Sequence, residues 1–343
     1  MRKLGTALIP LMLVAGCSGN DNVDPTDNTQ TTPATSVNLE VRSDLPQWNL
    51  GQGWTYRVER PGLPTETFKM VAAEDREGLW VVASNNRTQA VNHAVYSTNP
   101  MLGRIGKDTL SPYQSGSPVK MYQFPLTDGQ TWSATFFGQT MSFQATYVGD
   151  IDSSQINAAR NLPKRLDGFR ITATGGGQSV SYDYVEAVTW FTAFELRDEN
   201  GAREFRLSLS DFESDYKGQY FFYRGAPDSD ALIQEGAHAA SDIPPTTSET
   251  YEANVPSGFK DLVALGVVYV GKTANVPNRL ELWLQKPDGS TAMSQPFGGA
   301  REIHFLKEVP GVDGKWSLQA NMTGTLTFEA RVFGISKYAE GTI

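Results

Sequence analysis

The sequence predicts an all-β protein: an antiparallel half-barrel-like or meander domain followed by a β-sandwich of the jelly-roll kind. Two observations carry this. From about Leu45 to the end, short runs rich in Val, Thr, Tyr, Phe and Trp alternate with polar residues at a period of two. Turn formers divide these runs, as in Gly175-Gly176-Gly177, Asp198-Glu199-Asn200-Gly201 and Lys286-Pro287-Asp288-Gly289. Between Leu45 and Gly225 a single stretch, Ser153–Asn161, has a helical opening, with a Ser in the capping position. Strands so outnumber helices that the sheets should be antiparallel.

A leader precedes the strands. Met1-Arg2-Lys3 is positive, and Leu4 to Val14 is an uncharged apolar run of 11 residues. A membrane-spanning helix needs roughly 20 residues, whereas this length suits the hydrophobic part of a signal peptide. The run closes on Val14-Ala15-Gly16-Cys17, which matches the prokaryotic (bacterial or archaeal) lipoprotein box. Small residues let the peptidase read an extended backbone, and the thiol receives the diacylglycerol. Residues 1–16 are therefore expected to be a signal peptide and Cys17 the lipidated residue. The membrane is then a partner through at least two acyl chains, enough for lasting attachment. The expected location is extracytoplasmic, at the outer membrane or cell surface; Ser18 rather than Asp after the cysteine favours the outer membrane in a Gram-negative host.

Residues 17–44 are rich in Asn, Asp, Thr, Pro and Ser without apolar periodicity, and read as a disordered tether. Asp21, Asp24 and Asp27 recur every third residue and lack the alternating ligands and Gly of a calcium loop. Residues 45–225 read as the first β domain. Trp54–Val58 and Thr67–Ala72 flank a Pro/Gly turn, and Leu79–Ala83 follows. Thr131–Phe137 and Met141–Val148 flank Gly138-Gln139. Phe169–Thr174 and Ser179–Tyr184 flank the triple glycine, and Ala193–Arg197 and Glu204–Leu209 flank Asn200-Gly201. Residues 226–253, with Pro227 and Pro244-Pro245, read as an interdomain linker holding a short helix over 231–240. Residues 254–343 read as the sandwich, with strands at Leu262–Val270, Arg279–Gln285, Glu302–Leu306, Lys315–Ala320 and Thr325–Phe333. In its Gly314–Ala320 strand, alternation places Trp316 with Leu318 and Ala320 on the core face. Trp283 falls with Glu281 and Gln285, opposite Leu280, Leu282 and Leu284, and should be partly exposed.

Composition narrows the function. With 29 basic and 38 acidic residues, a net charge of -9 excludes nucleic acid as a partner, since phosphates need a basic face. A single cysteine excludes internal disulfides. The three histidines, His93, His238 and His304, form no His-Glu-x-x-His pair, and no Gly-x-Ser-x-Gly elbow is present. No catalytic residue, metal site or cofactor is expected. Asp211, Glu213 and Asp215 read as an acidic edge that discourages strand pairing, rather than calcium ligands or a glycosidase pair. Aromatic rings suggest a possible ligand surface at Trp190, Phe191, Tyr220 and Tyr223.

Two stretches resemble known families. Leu280-Glu-Leu-Trp-Leu-Gln-Lys-Pro-Asp-Gly289, Gly314-Lys-Trp-Ser-Leu318 and Gly324-Thr-Leu-Thr-Phe328 resemble the jelly-roll modules appended to secreted proteases: the proprotein-convertase P domain and the bacterial pre-peptidase carboxy-terminal domain. No acidic cluster here stands where those families hold calcium. Tyr122-Gln-Phe-Pro-Leu126 with Gly129 and Trp132, and Tyr182–Phe191, resemble the half-barrels of envelope lipoprotein carriers. That resemblance implies a cradle for an acyl chain or a partner. The expected function is a cell-envelope lipoprotein with a non-catalytic binding or assembly role at the cell surface, its partner, besides the membrane, being an envelope protein, glycan or lipid. The alternative is a carrier of a lipid or other hydrophobic ligand in the first domain, and after it a secreted hydrolase.

Overall fold

The computed structural model describes residues 41–61, 65–96, 99–114, 116–136, 138–225, 232–238, 247–272 and 278–343; the leader, Cys17 and nearly all of the tether lie outside them. The chain is all-β and antiparallel. In the first lobe the strands are β1 (Arg42–Ser43), β2 (Gly53–Glu59), β3 (Glu66–Arg76), β4 (Leu79–Ser84), β5 (Gly103–Gly106), β6 (Tyr113–Gln114), β7 (Ser117–Pro118), β8 (Leu126–Thr127), β9 (Thr131–Phe136), β10 (Gln139–Asp152), β11 (Arg165–Gly175), β12 (Gln178–Val185), β13 (Trp190–Arg197) and β14 (Arg203–Glu213), followed by β15 (Gln219–Gly225). Helix α1 (Arg87–Tyr96) follows β4. In space the order is β4-β3-β2-β14-β13-β12-β11-β10-β9, with β5 on β4. Apart from the β2–β14 closure, neighbours in this meander are neighbours in sequence.

Local chemistry explains the meander. Gly176 and Gly177 both have positive φ (59° and 83°), the tight turn whose twist suits a hairpin, and they join β11 to β12. Between β13 and β14, the Asp198 carboxylate accepts from the backbone N–H groups of Asn200 and Ala202. Alternation then buries Trp54, Tyr56 and Val58 of β2 with Phe68, Met70 and Ala72 of β3. Leu102, Leu110, Met121 and Tyr122, from the connection between α1 and β8, close over the same core. Strands β3 and β4 are buried on both faces, since Ala73, Val81 and Ala83 pack against Phe222 and Ala339 on the other side.

The second lobe comprises β16 (Leu232–His238), β17 (Thr247–Val255), β18 (Leu262–Gly271), β19 (Arg279–Gln285), β20 (Thr291–Gly298), β21 (Glu302–Pro310), β22 (Gly314–Thr323) and β23 (Leu326–Thr342). One four-strand layer runs β21-β18-β23-β16, the other β17-β22-β19-β20. Strands β19 and β20 form the tip of a long hairpin. Then β18 pairs β21, β17 pairs β22 and β16 pairs β23. That hairpin, rolled so that its paired strands alternate between two layers, is a jelly roll. Leu265, Leu282, Trp316, Leu318 and Phe328 meet between the layers.

Three expectations fail, each for a physical reason. The linker over 226–253 holds β16 and most of β17, which are two of the eight jelly-roll strands, and residues Glu40–Ile343 form one compact unit. The short helix over 231–240 is strand β16, because Leu232 to His238 pair with Val332 to Leu326, distant in sequence. Ser153–Asn161 holds only a 3-10 turn at Ala158–Arg160: Asn157 caps it, and Asn161 ends it in the left-handed conformation (φ 53°). The true helix, α1, starts after Asn86, whose side chain accepts from the Gln89 N–H at 3.3 Å. Its Ala90, Val91 and Val95 pack on Tyr223, Leu262, Phe333 and Ile335, so α1 ties the two lobes together. Strand β15 makes the same link. It pairs with β23 along its length and with β4 at Phe221–Ser84.

Candidate functional site

The four rings singled out as a ligand surface do not form one. Trp190 and Phe191 have no solvent exposure, and Tyr223 is 1% exposed. Trp190 lies 4.8 Å from both Trp48 and Trp54, centroid to centroid, and Tyr56 stacks on Phe191 at 4.7 Å. Trp54 donates to the Val188 carbonyl at 2.8 Å and Tyr56 to that of Phe191 at 2.7 Å, whereas the Trp190 indole N–H is buried without a partner among the described residues. A register shift between Asp183 and Tyr184 in the β12–β13 pair skips Thr192, so Phe191 and Phe194, three residues apart, both turn into the core. Tyr223 and the half-buried Tyr220 sit instead at the lobe junction, donating to Glu340 (2.9 Å) and Glu74 (3.4 Å).

The acidic run begins on β14 beyond its pairing with β13, which ends at Ala193–Ser208; Asp211 and Glu213 pair only with Thr55 and Gly53 of β2, so their other side is a local edge. Each carboxylate has a cation: Arg160 holds Asp211 at 2.6 Å, Lys69 holds Glu213, and Lys217 holds Asp215 at 2.7 Å. Among the described residues no three His, Cys, Asp or Glu side chains come together as a metal site would require. His93, on α1, accepts from the Asn99 N–H at 3.4 Å, and burial lowers its pKa from 6.5 to about 4. His304 points outward beside Glu302 at 2.6 Å, as its place in the alternation predicts.

The surface that could hold a ligand is the outer face of the β17-β22-β19-β20 sheet. Alternation sends Leu280, Leu282 and Leu284 inward and leaves Glu281, Trp283 and Gln285 outward. Register then fixes the neighbours of Trp283: Gln319 of β22 lies opposite on one side and Ser294 of β20 on the other. Thr250 of β17 extends the row beyond Gln319. In the adjoining rows Gln285 faces Ser317, and Glu281 faces Asn321. Ser317 donates to Gln285 at 3.0 Å, and Gln319 donates to Ser248 at 3.3 Å. Two ion pairs, Arg279–Glu281 and Lys315–Glu252 (2.7 Å), cancel the charges of this face. The centre is thus one indole ring in a neutral field of amides and hydroxyls. Alternation alone places Trp283 outward; its central position needs the strand order, which adjacent residues do not encode.

No protein-family model matches the chain, and no curated protein matches it. Solved structures with some likeness include an exo-β-1,3-galactanase of Phanerochaete chrysosporium (TM-score 0.22, 8% identity, 81% of this chain and 68% of that chain). An arabinoxylan arabinofuranohydrolase from Bacillus subtilis has a TM-score of 0.17 and 11% identity, over 82% of this chain and 78% of that chain. The MucA/MucB complex of Pseudomonas aeruginosa has a TM-score of 0.22 and 9% identity, over 80% of this chain and 92% of that chain. Overlaps this slight bear on neither activity nor partner.

Proposed function

We propose that the chain is a cell-envelope lipoprotein, anchored through Cys17 outside the cytoplasm, with a non-catalytic binding or assembly role at the outer membrane or cell surface. The observation that carries this reading is the box Val14-Ala15-Gly16-Cys17 behind a basic start and an apolar run of 11 residues. The polar stretch that follows gives the folded lobes reach from the membrane. The outer jelly-roll face around Trp283 supplies a surface suited to binding, and the jelly-roll order fits the resemblance to modules that accompany secreted enzymes. A hydrolase would need free carboxylates, whereas Asp211, Glu213 and Asp215 are each held by a cation. A lipid carrier would need room against the first sheet, where Leu102, Leu110, Met121 and Tyr122 already pack. The test is detergent partitioning of the wild type against Cys17→Ala. Wild type should enter the detergent phase, and the variant should remain aqueous or persist as an uncleaved precursor. Wild type in the aqueous phase would end the lipoprotein reading.

A further inference from the structure

We infer that the outer face of the β17-β22-β19-β20 sheet binds a neutral glycan chain, with a sugar ring stacked on Trp283. This deepens the binding role proposed above and rests on it. Of seven tryptophans, six are buried and Trp283 alone is not. It makes no ring contact and no hydrogen bond among the described residues, and it is partly exposed on the outer face. An indole in the middle of a polar sheet is a cost in water unless something covers it. The groups around it define what covers it. Gln319, Asn321 and Gln285 carry amides that donate and accept at once, and Ser317 and Thr250 add hydroxyls. A run of vicinal hydroxyls needs that mixture, whereas an acyl chain would need a continuous apolar strip. Charge agrees: on a chain of net charge -9, this face is balanced by its own Arg279–Glu281 and Lys315–Glu252 pairs. It therefore favours neither a cationic nor an anionic ligand, and the C–H-rich face of a sugar suits the ring.

The experiment measures binding of the full mature chain, without lipid, to purified envelope fragments of the producing cells. One portion is treated with periodate, which opens the vicinal diols of sugar rings, and another with protease. Trp283→Ala and Trp283→Phe are measured beside the wild type, with thermal melting to show that they fold. The expected result is binding that survives protease, is lost after periodate, and falls at least tenfold in Trp283→Ala but less in Trp283→Phe. Binding that survives periodate and is lost after protease would replace the glycan with a protein partner and leave the binding role standing. Periodate-sensitive binding unchanged in Trp283→Ala would overturn the site. No binding to any envelope fraction would overturn both the glycan and the role on which it rests.

Discussion

The two lobes are built from similar strands by opposite strategies. In the first, β9 to β14 pair in sequence order, each hairpin closed by a local turn such as Gly176-Gly177. In the second, Leu232 faces Val332 and Thr247 faces Met322, so the sheets close only when distant segments meet. Their cores differ as well. The first is dense in rings, with Trp48 in contact with Trp54, Trp80 and Trp190, while the second packs Leu, Met and Val around Trp316. A meander can therefore be assembled piece by piece, whereas a jelly roll is complete or absent.

The largest effect that follows concerns where the second lobe begins. A fragment of residues 254–343, starting where composition places the domain, lacks β16 and β17 and should not fold. A fragment of 219–343 keeps every strand of both layers and should give a cooperative transition. Far-ultraviolet circular dichroism with urea titration compares them. Equal folding of the two would mean that β16 and β17 are ornaments on a six-strand core, and the contrast between the lobes would weaken.

That boundary is also where legibility ended. The first-lobe hairpins were readable because turn residues and alternating runs sit side by side, as with Phe169–Thr174 and Ser179–Tyr184 around their glycines. In the second lobe each strand from β18 on was readable by alternation except β20, whose Gln295-Pro296 breaks the pattern. Strands β16 and β17 were not, because prolines and Ser/Thr surround them and their partners lie far along the chain, Val332 for Leu232 and Met322 for Thr247. The candidate site followed the same logic. Clustering in sequence pointed to Trp190, Phe191, Tyr220 and Tyr223, but burial is decided by which strand lies beside which. Trp283 was placed outward by its own alternation, yet only register puts Gln319, Asn321 and Gln285 around it.

The tryptophans of the second lobe test that register directly. Trp316 is fully buried, with its indole donating to the Val312 carbonyl at 2.9 Å. Trp316→Ala removes a ring from a closed core and should cost about 3–5 kcal/mol. Trp283→Ala, on the outer face of the same sheet, should cost about 1 kcal/mol or less. Chemical denaturation of both full-length variants decides it, and similar losses would mean that the faces have been assigned wrongly.

At the helix joining the lobes, the effect depends on pH. His93 has a folded pKa of about 4, below the ordinary 6.5, because burial disfavours its charged form. Above pH 6.5 the ring is neutral in both states and contributes no slope. Below it the unfolded chain takes up a proton that the folded chain refuses, so stability falls until about pH 4, where both are protonated. The depressed pKa corresponds to at most about 3 kcal/mol, less whatever hydration the partly buried ring retains. Stability measured from pH 7 to pH 4 should fall more steeply for the wild type than for His93→Gln. Parallel curves would show that this ring is solvated.

The smallest expected difference sets an ion pair from each lobe side by side. Arg170 grips Asp183 with two parallel hydrogen bonds, Nε to Oδ1 at 2.7 Å and Nη2 to Oδ2 at 2.8 Å. The carboxylate side chain is only 12% exposed, although the guanidinium is half in water. Removing the arginine strands a nearly buried charge, and solvent around the arginine moderates what the pair itself contributes. Arg170→Met should therefore cost about 1–2 kcal/mol. In the second lobe Lys315 meets Glu252 at 2.7 Å, but the side chains are 65% and 59% exposed. Their attraction is screened and offset by the entropy of holding two long chains, so Lys315→Met should change stability by about 0.5 kcal/mol or less. Urea denaturation at low and high salt separates the two, because salt weakens an exposed pair and leaves a shielded carboxylate still in need of its partner. If both substitutions cost the same, the depth of Asp183 in the meander makes no energetic difference, and its bidentate partner is a surface contact like any other.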